Sequence, residues 1–259
     1  MNKRRVSGLV IAVIGLLMFS ALFTAPDTIS DAIPDKVWFW YILASVWFVI
    51  FGFVFFFFSL PGELNEELNE KKELEGYYGK RAYITYALIA GNAIIFILSN
   101  SICTGLVETC VLSREAIRAG RWYTLFTYMF IHANYQHLLF NMFVMGACGY
   151  RLENLMGRSK FLILYIISGL VGGLAGMLFT DNGLIGSSGA VYGIIGAMLI
   201  IAVINRNKMK YYLSELIVVI VAGMIESLVF MPMSMAAHIF GFLTGVMIIM
   251  SRSDRYRLR

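Results

Sequence analysis

Long apolar blocks that recur along the chain constrain this sequence more than any other feature. The blocks are roughly 16–20 residues long, the length of α-helix needed to cross the ~30 Å hydrocarbon core of a bilayer. Hydrophobic residues make up 59% of the 259 residues and charged residues 14%, whereas soluble domains average about 45–50% apolar and about 25% charged residues. The sequence therefore predicts an all-α polytopic membrane protein.

Eight candidate membrane spans follow from the hydropathy pattern. They cover residues 8–24, 38–60, 83–99, 133–150, 161–179, 187–204, 212–230 and 235–251. If the N-terminus is cytoplasmic and the spans alternate in direction, the cytoplasmic segments hold 17 of the 21 Lys and Arg residues. This distribution satisfies the positive-inside rule, so both termini are expected in the cytoplasm. The net charge of +5 then reflects membrane topology and does not indicate nucleic-acid binding.

The spans and the segments between them divide the chain into four parts. Residues 1–60 are predicted to form an extra transmembrane hairpin, 61–82 a charged cytoplasmic linker, 83–251 a six-helix core, and 252–259 a basic cytoplasmic tail. The first span has no clear small-x-small cleavage site near Ala25, which favours a retained anchor over a removed signal peptide. The linker carries six glutamates; a solvated segment is the favoured interpretation, and a partner-binding helix is the alternative.

The longest connection on the predicted outer side covers residues 100–132. The segment is expected to lie partly in the membrane interface, where amphipathic rings are favoured. Its aromatic residues are Trp122, Tyr123, Phe126 and Tyr128. Cys103 and Cys110 both lie in this segment, where a disulfide and two free thiols are equally compatible with the sequence. Cys148 falls within a span, where a buried thiol is expected. No spacing of Cys and His indicates a metal site, and no cofactor is predicted.

All three histidines of the chain, His132, His137 and His238, fall in or beside predicted spans. Ionisable side chains at membrane depth are energetically unfavourable and usually face a bundle interior or a water-filled cavity, where they serve function. Ser188 begins one inward-running span, and His238 lies a few residues into another. The two residues are therefore expected at a similar, shallow depth near the outer surface.

Small residues at helical spacing occur on both of these inward-running spans. The two stripes consist of Gly189, Gly193 and Ala197, and of Ala237, Gly241 and Gly245. Such stripes allow helix backbones to approach closely. Close packing alone would account for the sequence GSSG at residues 186–189, but the same packing would also bring His238 within hydrogen-bond distance of Ser188.

A Ser–His dyad is the chemistry that this arrangement favours. A serine hydroxyl is a weak nucleophile that an adjacent base activates, and a neutral imidazole can act as that base near pH 7. Tyr192 lies four residues after Ser188 on the same helix face, so its ring is placed to pack against the imidazole of His238. No carboxylate is well placed to orient the imidazole, and Glu226 on the preceding span is the weaker alternative.

The stretch HANYQHLLFN, residues 132–141, offers donors for the oxyanion that develops during acyl transfer. His137 and Asn141 are four residues apart and share a helix face near the outer side, and His132 precedes them. The N–H of Ser188 lies at a helix N-terminus, where negative charge is favoured. A His–Asn pair can also simply join helices, but here the nucleophile, the base and the donors are all predicted at one depth.

These motifs together resemble those of the rhomboid family of intramembrane serine proteases, over roughly residues 83–251. GSSG with the following AVY resembles the family's GxSG and tyrosine, AAHIFG resembles its AHxxG, and HANYQHLLFN resembles its HxxxxHxxxN. ENLMGRSKFLILYIISGLVGG resembles the segment that links the second and third core helices. The family often has a Trp–Arg pair in its first outer loop, where GRWYTLFTYMF places Tyr123 and Thr124.

The resemblance implies Ser188 as the nucleophile, His238 as the general base, and His137, Asn141 and the Ser188 N–H as oxyanion donors. It implies supporting roles for Tyr192, His132, Gly186, Gly189 and Gly241. The implied activity is cleavage of transmembrane protein substrates near the extracytoplasmic face of a lipid bilayer, which we expect to be a bacterial cell membrane.

Two alternatives stay open. One is a catalytically silent relative that binds and escorts membrane helices, and the other is a small-solute transporter with the histidines as a proton relay. The sequence does not predict the oligomeric state or the identity of the substrate.

Overall fold

The computed structural model describes residues 69–70, 72–74, 81–103, 105–180, 183–230 and 235–258. In these ranges the chain is helical, and one isolated antiparallel bridge joins Leu112 to Leu184. The all-α prediction is therefore confirmed for this part of the chain. The predicted N-terminal hairpin at residues 1–60 lies outside the described residues, and so does most of the linker at 61–82.

Ten α-helices lie in the described chain between residues 83 and 250. They are α1 (Tyr83–Ser101), α2 (Leu106–Cys110), α3 (Arg114–Arg118), α4 (Thr124–Thr127), α5 (Tyr135–Val144), α6 (Tyr150–Met156), α7 (Arg158–Phe179), α8 (Ser188–Ile204), α9 (Lys210–Phe230) and α10 (Met235–Met250). A π-helical segment, Met145–Gly149, joins α5 to α6, and 3-10 helices lie at Tyr128–Phe130 and Ser253–Tyr256.

Each of the six spans predicted between residues 83 and 251 coincides with one helix or one continuous run of helices. By length and composition, α1 and α7 are long and apolar enough to cross a membrane, and α8 and α10 are shorter apolar helices of 17 and 16 residues. The span predicted at 133–150 corresponds to the run of α5, the π-helical segment and α6. The number of membrane crossings stays a prediction.

Helix α8 lies at the centre of this bundle. Its sequence is apolar on every side, as expected for a helix with neighbours all around it, and 13 of its 17 residues are buried. It packs against α7, α9 and α10. By contrast, Ile94 and Ile97 on α1 and Leu178 on α7 are more than half exposed, which fits helices that face lipid.

Two contacts fasten the outer segment between α1 and α5 to the chain that leads into α8. Leu112 and Leu184 exchange both backbone hydrogen bonds, at 3.0 and 2.8 Å. The Arg114 guanidinium donates to the carbonyls of Met177 and Leu178 at 2.9 and 2.7 Å. These carbonyls are among the last four of α7, which have no partner within the helix, so Arg114 caps α7.

The aromatic residues of the outer segment divide into two groups. Trp122, Tyr123 and Phe126 are 63%, 50% and 44% exposed, in keeping with the interfacial position predicted for them. Tyr128 is buried, and its hydroxyl donates to the carbonyl of Gly169 at 2.6 Å. Tyr128 does not share the exposure of the other three rings, because it begins the 3-10 turn that carries the chain into the core.

The three cysteines are free thiols, so the disulfide between Cys103 and Cys110 that the sequence left open is not formed in this structure. Cys148 is buried, as expected, and the hydroxyl of Tyr212 donates to its sulfur at 3.6 Å. Within the described part of the chain, no group of three or more His, Cys, Asp or Glu side chains could hold a metal ion.

A buried carboxylate joins α6 to the start of α1. Glu153 is 2% exposed, and its oxygens accept from the Ile84 N–H at 3.0 Å, the Thr85 N–H at 2.7 Å and the Thr85 hydroxyl at 2.8 Å. These N–H groups belong to the first turn of α1, where backbone donors lack intrahelical partners and a negative charge is favoured. Glu153 therefore caps α1, a role that its position in the sequence did not predict.

The variant Glu153→Gln tests this cap. An amide keeps one acceptor oxygen but turns an NH₂ group toward backbone donors, so at least one hydrogen bond is lost. Because a hydrogen bond to a charged group contributes about 1.5–3 kcal/mol, we expect thermal unfolding in detergent to begin several degrees earlier. The exposed Glu108 provides a control, and Glu108→Gln should unfold at the wild-type temperature. Equal unfolding temperatures for the two variants would contradict the cap.

Candidate functional site

A tight turn at Gly186 presents Ser188, the first residue of α8. Gly186 has a φ of +117°, which side chains of L-residues rarely permit, and its N–H donates to the Tyr128 carbonyl at 2.9 Å. A Cβ at this position would also lie 2.8 Å from Nε2 of His137. Position 186 thus requires glycine for two reasons, the backbone angle and the histidine ring beside it.

A hydrogen bond joins Ser188 on α8 to His238 on α10. Ser188 Oγ lies 2.8 Å from His238 Nε2, and the two residues are 8% and 4% exposed. The ring of Tyr192 stacks on the imidazole of His238, with ring centroids 4.4 Å apart and an angle of 8° between the planes. The structure thus brings together the three residues that the sequence placed on two neighbouring helices.

Close packing of α8 against α10 permits this short distance. A Cβ at Gly241 would lie 2.8 Å from the carbonyl carbon of Gly189, and a Cβ at Gly245 would lie 2.7 Å from that of Gly193. Cβ atoms in proteins essentially never approach other atoms so closely. The two small-residue stripes predicted from the sequence are therefore in contact with each other, backbone against backbone.

Helix α7 contributes a third small-residue surface, which the sequence reasoning missed. A Cβ at Gly172 would lie 2.7 Å from the carbonyl oxygen of Ala237, the residue before His238, and a Cβ at Gly173 would lie 2.7 Å from the hydroxyl oxygen of Tyr128. Helix α7 thus supports the start of α10. The signal was present in the sequence as glycines three and four residues apart, at Gly169, Gly172, Gly173 and Gly176.

His137 and Asn141 lie on α5, with His137 against the turn at Gly186. The side chain of Asn134 caps α5 by accepting from the His137 N–H at 2.9 Å, and Asn141 Nδ2 donates to the His137 carbonyl at 2.8 Å. That bond uses one of the two N–H groups of the Asn141 amide. Both residues are buried, and His137 Nδ1 and Asn141 Oδ1 have no hydrogen-bond partner among the described residues.

His132 contacts the residue before Ser188. Its Nε2 lies 3.3 Å from Ser187 Oγ, and its ring packs edge-on against the ring of His137, with centroids 5.1 Å apart. His132 and His137 therefore line the turn together. The sequence left the role of His132 open and treated Ser187 only as part of the GSSG motif. Residue type alone did not indicate the contact between them.

Two glutamates bear on whether a carboxylate orients the imidazole of His238. Glu153 is engaged at the start of α1. The side chain of Glu226 lies outside the described part of the structure, and that weaker alternative stays open.

The C-terminal half of the chain matches a known family. A family model described as the Rhomboid domain matches residues 119–255, a range that contains every site residue described above.

Individual relatives show how far the likeness extends. Rhomboid protease GluP of Bacillus subtilis (strain 168) is 27% identical over 188 residues, which cover 70% of this chain and 37% of that protein. Putative rhomboid protease YdcA of the same organism is 28% identical over 144 residues, 53% of this chain and 72% of YdcA. RHOMBOID-like protein 5 of Arabidopsis thaliana is 35% identical over 142 residues, 52% of this chain and 45% of that protein. The chain thus spans less than half the length of GluP and of the Arabidopsis protein.

The variant Gly241→Ala tests the contact between α8 and α10. Its methyl group would meet the backbone of Gly189, so the helices must separate, and we expect a loss of about 1–3 kcal/mol in unfolding free energy. Gly91→Ala on α1 is the matched control, because no described atom lies within 4 Å of the added Cβ. It should be neutral or stabilising by up to about 1 kcal/mol. Equal unfolding free energies in the two variants, measured in detergent, would contradict the close contact.

Proposed function

The chain belongs to the rhomboid family, and we propose that it is an intramembrane serine endopeptidase with Ser188 as nucleophile and His238 as general base. The observation that carries the proposal is the 2.8 Å distance between Ser188 Oγ and His238 Nε2. A general base must lie within hydrogen-bond reach of the proton that it removes. The proposal is also supported by two bacterial relatives, rhomboid protease GluP and putative rhomboid protease YdcA.

Peptide hydrolysis by this pair proceeds through an acyl-enzyme. Ser188 Oγ attacks the substrate carbonyl carbon while its proton passes to His238 Nε2, and a tetrahedral oxyanion forms. His238 then gives the proton to the leaving amine, the C–N bond breaks, and an ester remains on Ser188. A water molecule attacks the ester after losing a proton to His238, and that proton returns to Ser188 Oγ as the carboxylic acid product leaves.

The oxyanion is stabilised by donors at the start of α8 and on α5. The N–H of Ser188 is among the first four of α8, which lack intrahelical partners and carry the positive end of the helix dipole. His137 and Asn141 add side-chain donors from α5. The contact between Gly186 and the His137 ring supports this assignment, because it places that ring beside the turn that leads to Ser188.

In this proposal, stacking on the Tyr192 ring orients the imidazole of His238. In a Ser-His-Asp triad, a carboxylate has that role. At a centroid distance of 4.4 Å and an angle of 8°, the imidazole of His238 cannot tilt without losing contact with Tyr192. A Cβ at Gly223 of α9 would lie 2.6 Å from the hydroxyl oxygen of Tyr192, so α9 packs closely against the tyrosine. Tyr192 is thus held between its own helix and α9.

The proposed substrate is a transmembrane segment of another protein, cut near the extracytoplasmic face. Ser188 and His238 lie in the first turns of α8 and α10, and in the predicted topology both turns are at the outer ends of their helices. We propose that the substrate reaches them past α9, which packs far less extensively against α8 than α7 and α10 do. A crosslink that ties α9 to α5 and leaves cleavage unchanged would contradict this route.

Replacing either member of the pair tests the mechanism. With the protein and a model transmembrane substrate reconstituted in vesicles, Ser188→Ala and His238→Ala should each lower the cleavage rate by at least about 10³-fold. A fluorophosphonate should label the wild type and leave Ser188→Ala unlabelled. Ser214→Ala, at an exposed serine of α9, is the control and should cleave as the wild type does. Cleavage that persists in Ser188→Ala would exclude this nucleophile.

The oxyanion assignment has a separate test in Asn141→Ala. Because the lost donor acts on charge that exists only in the transition state, kcat should fall by about 10²-fold with little change in KM. Asn100→Ala is a matched control, since Asn100 Nδ2 also donates to a carbonyl four residues earlier, at 2.8 Å, on α1. An unchanged kcat in Asn141→Ala would remove Asn141 from the mechanism.

A further inference from the structure

Three hydrogen bonds meet at the side chain of Asn205, the residue that follows the end of α8. Its Nδ2 donates to the carbonyl of Ile201 at 2.8 Å and to the carbonyl of Tyr256 at 2.7 Å. Its Oδ1 accepts from the N–H of Leu258 at 2.8 Å. An asparagine amide has two donor and two acceptor positions, so three of the four are used within the protein, and the residue is 7% exposed.

Two of the three partners of Asn205, Tyr256 and Leu258, belong to residues 252–258, which follow α10 and are called the strap below. The sequence predicted a basic tail at these residues. The structure adds that the backbone of the strap is hydrogen-bonded to Asn205. Ser253–Tyr256 is a 3-10 helix, and Tyr256 is buried in the same apolar core as α8. The Asn205 amide thus binds the strap at two backbone groups, the carbonyl of Tyr256 and the N–H of Leu258.

Asn205 also holds the connection to α9. Its own carbonyl accepts from the N–H of Lys208 at 2.8 Å and of Met209 at 3.0 Å. One residue therefore joins the last turn of α8, the start of the connection to α9, and the segment after α10. Moving one of these elements away from the others would leave buried N–H or C=O groups without a hydrogen-bond partner, which is energetically unfavourable. The bonds of Asn205 therefore hold the three elements together.

We propose that Asn205 is a positioning residue for the pair Ser188 and His238, which it aligns by fixing α8 and α10 along their axes. Helix α8 carries Ser188 at its first residue and Asn205 just beyond its last, about 25 Å away at a rise of 1.5 Å per residue. Helix α10 carries His238 in its first turn and the strap beyond its end. The kinetic part of this inference rests on the proposed protease function.

The glycine contacts alone do not supply this alignment. They determine how closely α8 and α10 approach, but they present few side chains that interlock along the helix axes. A hydrogen bond does limit axial movement, since N–H···O distances stay within about 2.7–3.2 Å. A slide of about 1 Å would break the bonds of Asn205, and the same slide at the outer ends would separate Ser188 Oγ from His238 Nε2.

Three variants remove the bonds of Asn205 in different ways. Asn205→Asp keeps the shape of the side chain but replaces the NH₂ group with an oxygen that faces two carbonyls. Asn205→Ala removes all three bonds. Leu258→Pro removes the backbone N–H that donates to Asn205 Oδ1 and leaves Asn205 itself unchanged. Asn154→Ala is the matched control, because Asn154 Nδ2 donates at 2.8 Å to the Tyr150 carbonyl, four residues earlier on its own helix.

The first measurement is the rate of fluorophosphonate labelling at Ser188 in the full chain, reconstituted in vesicles at a temperature where every variant is folded. We expect the rate to fall about tenfold in Asn205→Asp and Asn205→Ala, equivalent to about 1.4 kcal/mol in the barrier, and by less in Leu258→Pro. The KM for a model transmembrane substrate should stay within about twofold of wild type, since the substrate does not contact Asn205. Asn154→Ala should be labelled at the wild-type rate.

The second measurement, hydrogen exchange followed by mass spectrometry, does not depend on catalysis. We expect faster exchange in residues 188–195 and 237–244 of Asn205→Ala, and not only in the strap. Faster exchange confined to the strap, together with wild-type labelling rates in Asn205→Ala and Leu258→Pro, would overturn the inference. A wild-type protein that is not labelled at Ser188 would instead refute the proposed function, and hydrogen exchange would still decide the role of Asn205.

Discussion

The backbone contact between α8 and α10 is the interaction on which the rest of the site depends. Packed helices usually lie 8–10 Å apart because side chains separate them, and Gly189, Gly193, Gly241 and Gly245 remove that separation. Only then can a short serine side chain reach an imidazole on the next helix, at 2.8 Å. Helix α7 supports the same contact from the side, through Gly172 against the carbonyl of Ala237.

Polar groups determine which arrangement of these apolar helices forms. In lipid, the hydrophobic effect does not distinguish one apolar helix surface from another, so small residues and buried hydrogen bonds select the partners. Glu153 joins α6 to the first turn of α1, Arg114 joins the outer segment to the end of α7, and Asn205 joins α8 to the strap. Glu153 and Arg114 satisfy backbone groups that a helix end leaves without partners, and Asn205 binds backbone groups of the strap.

The proposed chemistry is concentrated at the first turns of two parallel helices. Ser188 lies where the dipole of α8 favours negative charge, and His238 is stacked on Tyr192 from that same helix. The proposed base therefore stacks on an aromatic ring from the same helix as the proposed nucleophile. The contact of His132 with Ser187 adds a hydrogen bond beside the turn at Gly186.

Hydropathy and helical spacing determined much of this protein without a structure. They identified the apolar helices and relations within one helix, such as Ser188 with Tyr192 and His137 with Asn141. They did not show that Tyr128 is buried, because the aromatic content of a loop does not reveal which ring turns inward. Only the tertiary structure decided pairs that lie far apart in the chain, such as Glu153 with Thr85 and Asn205 with Leu258. The physical reason is that periodicity describes one helix at a time, whereas the partner of a buried amide or carboxylate depends on how all the helices pack.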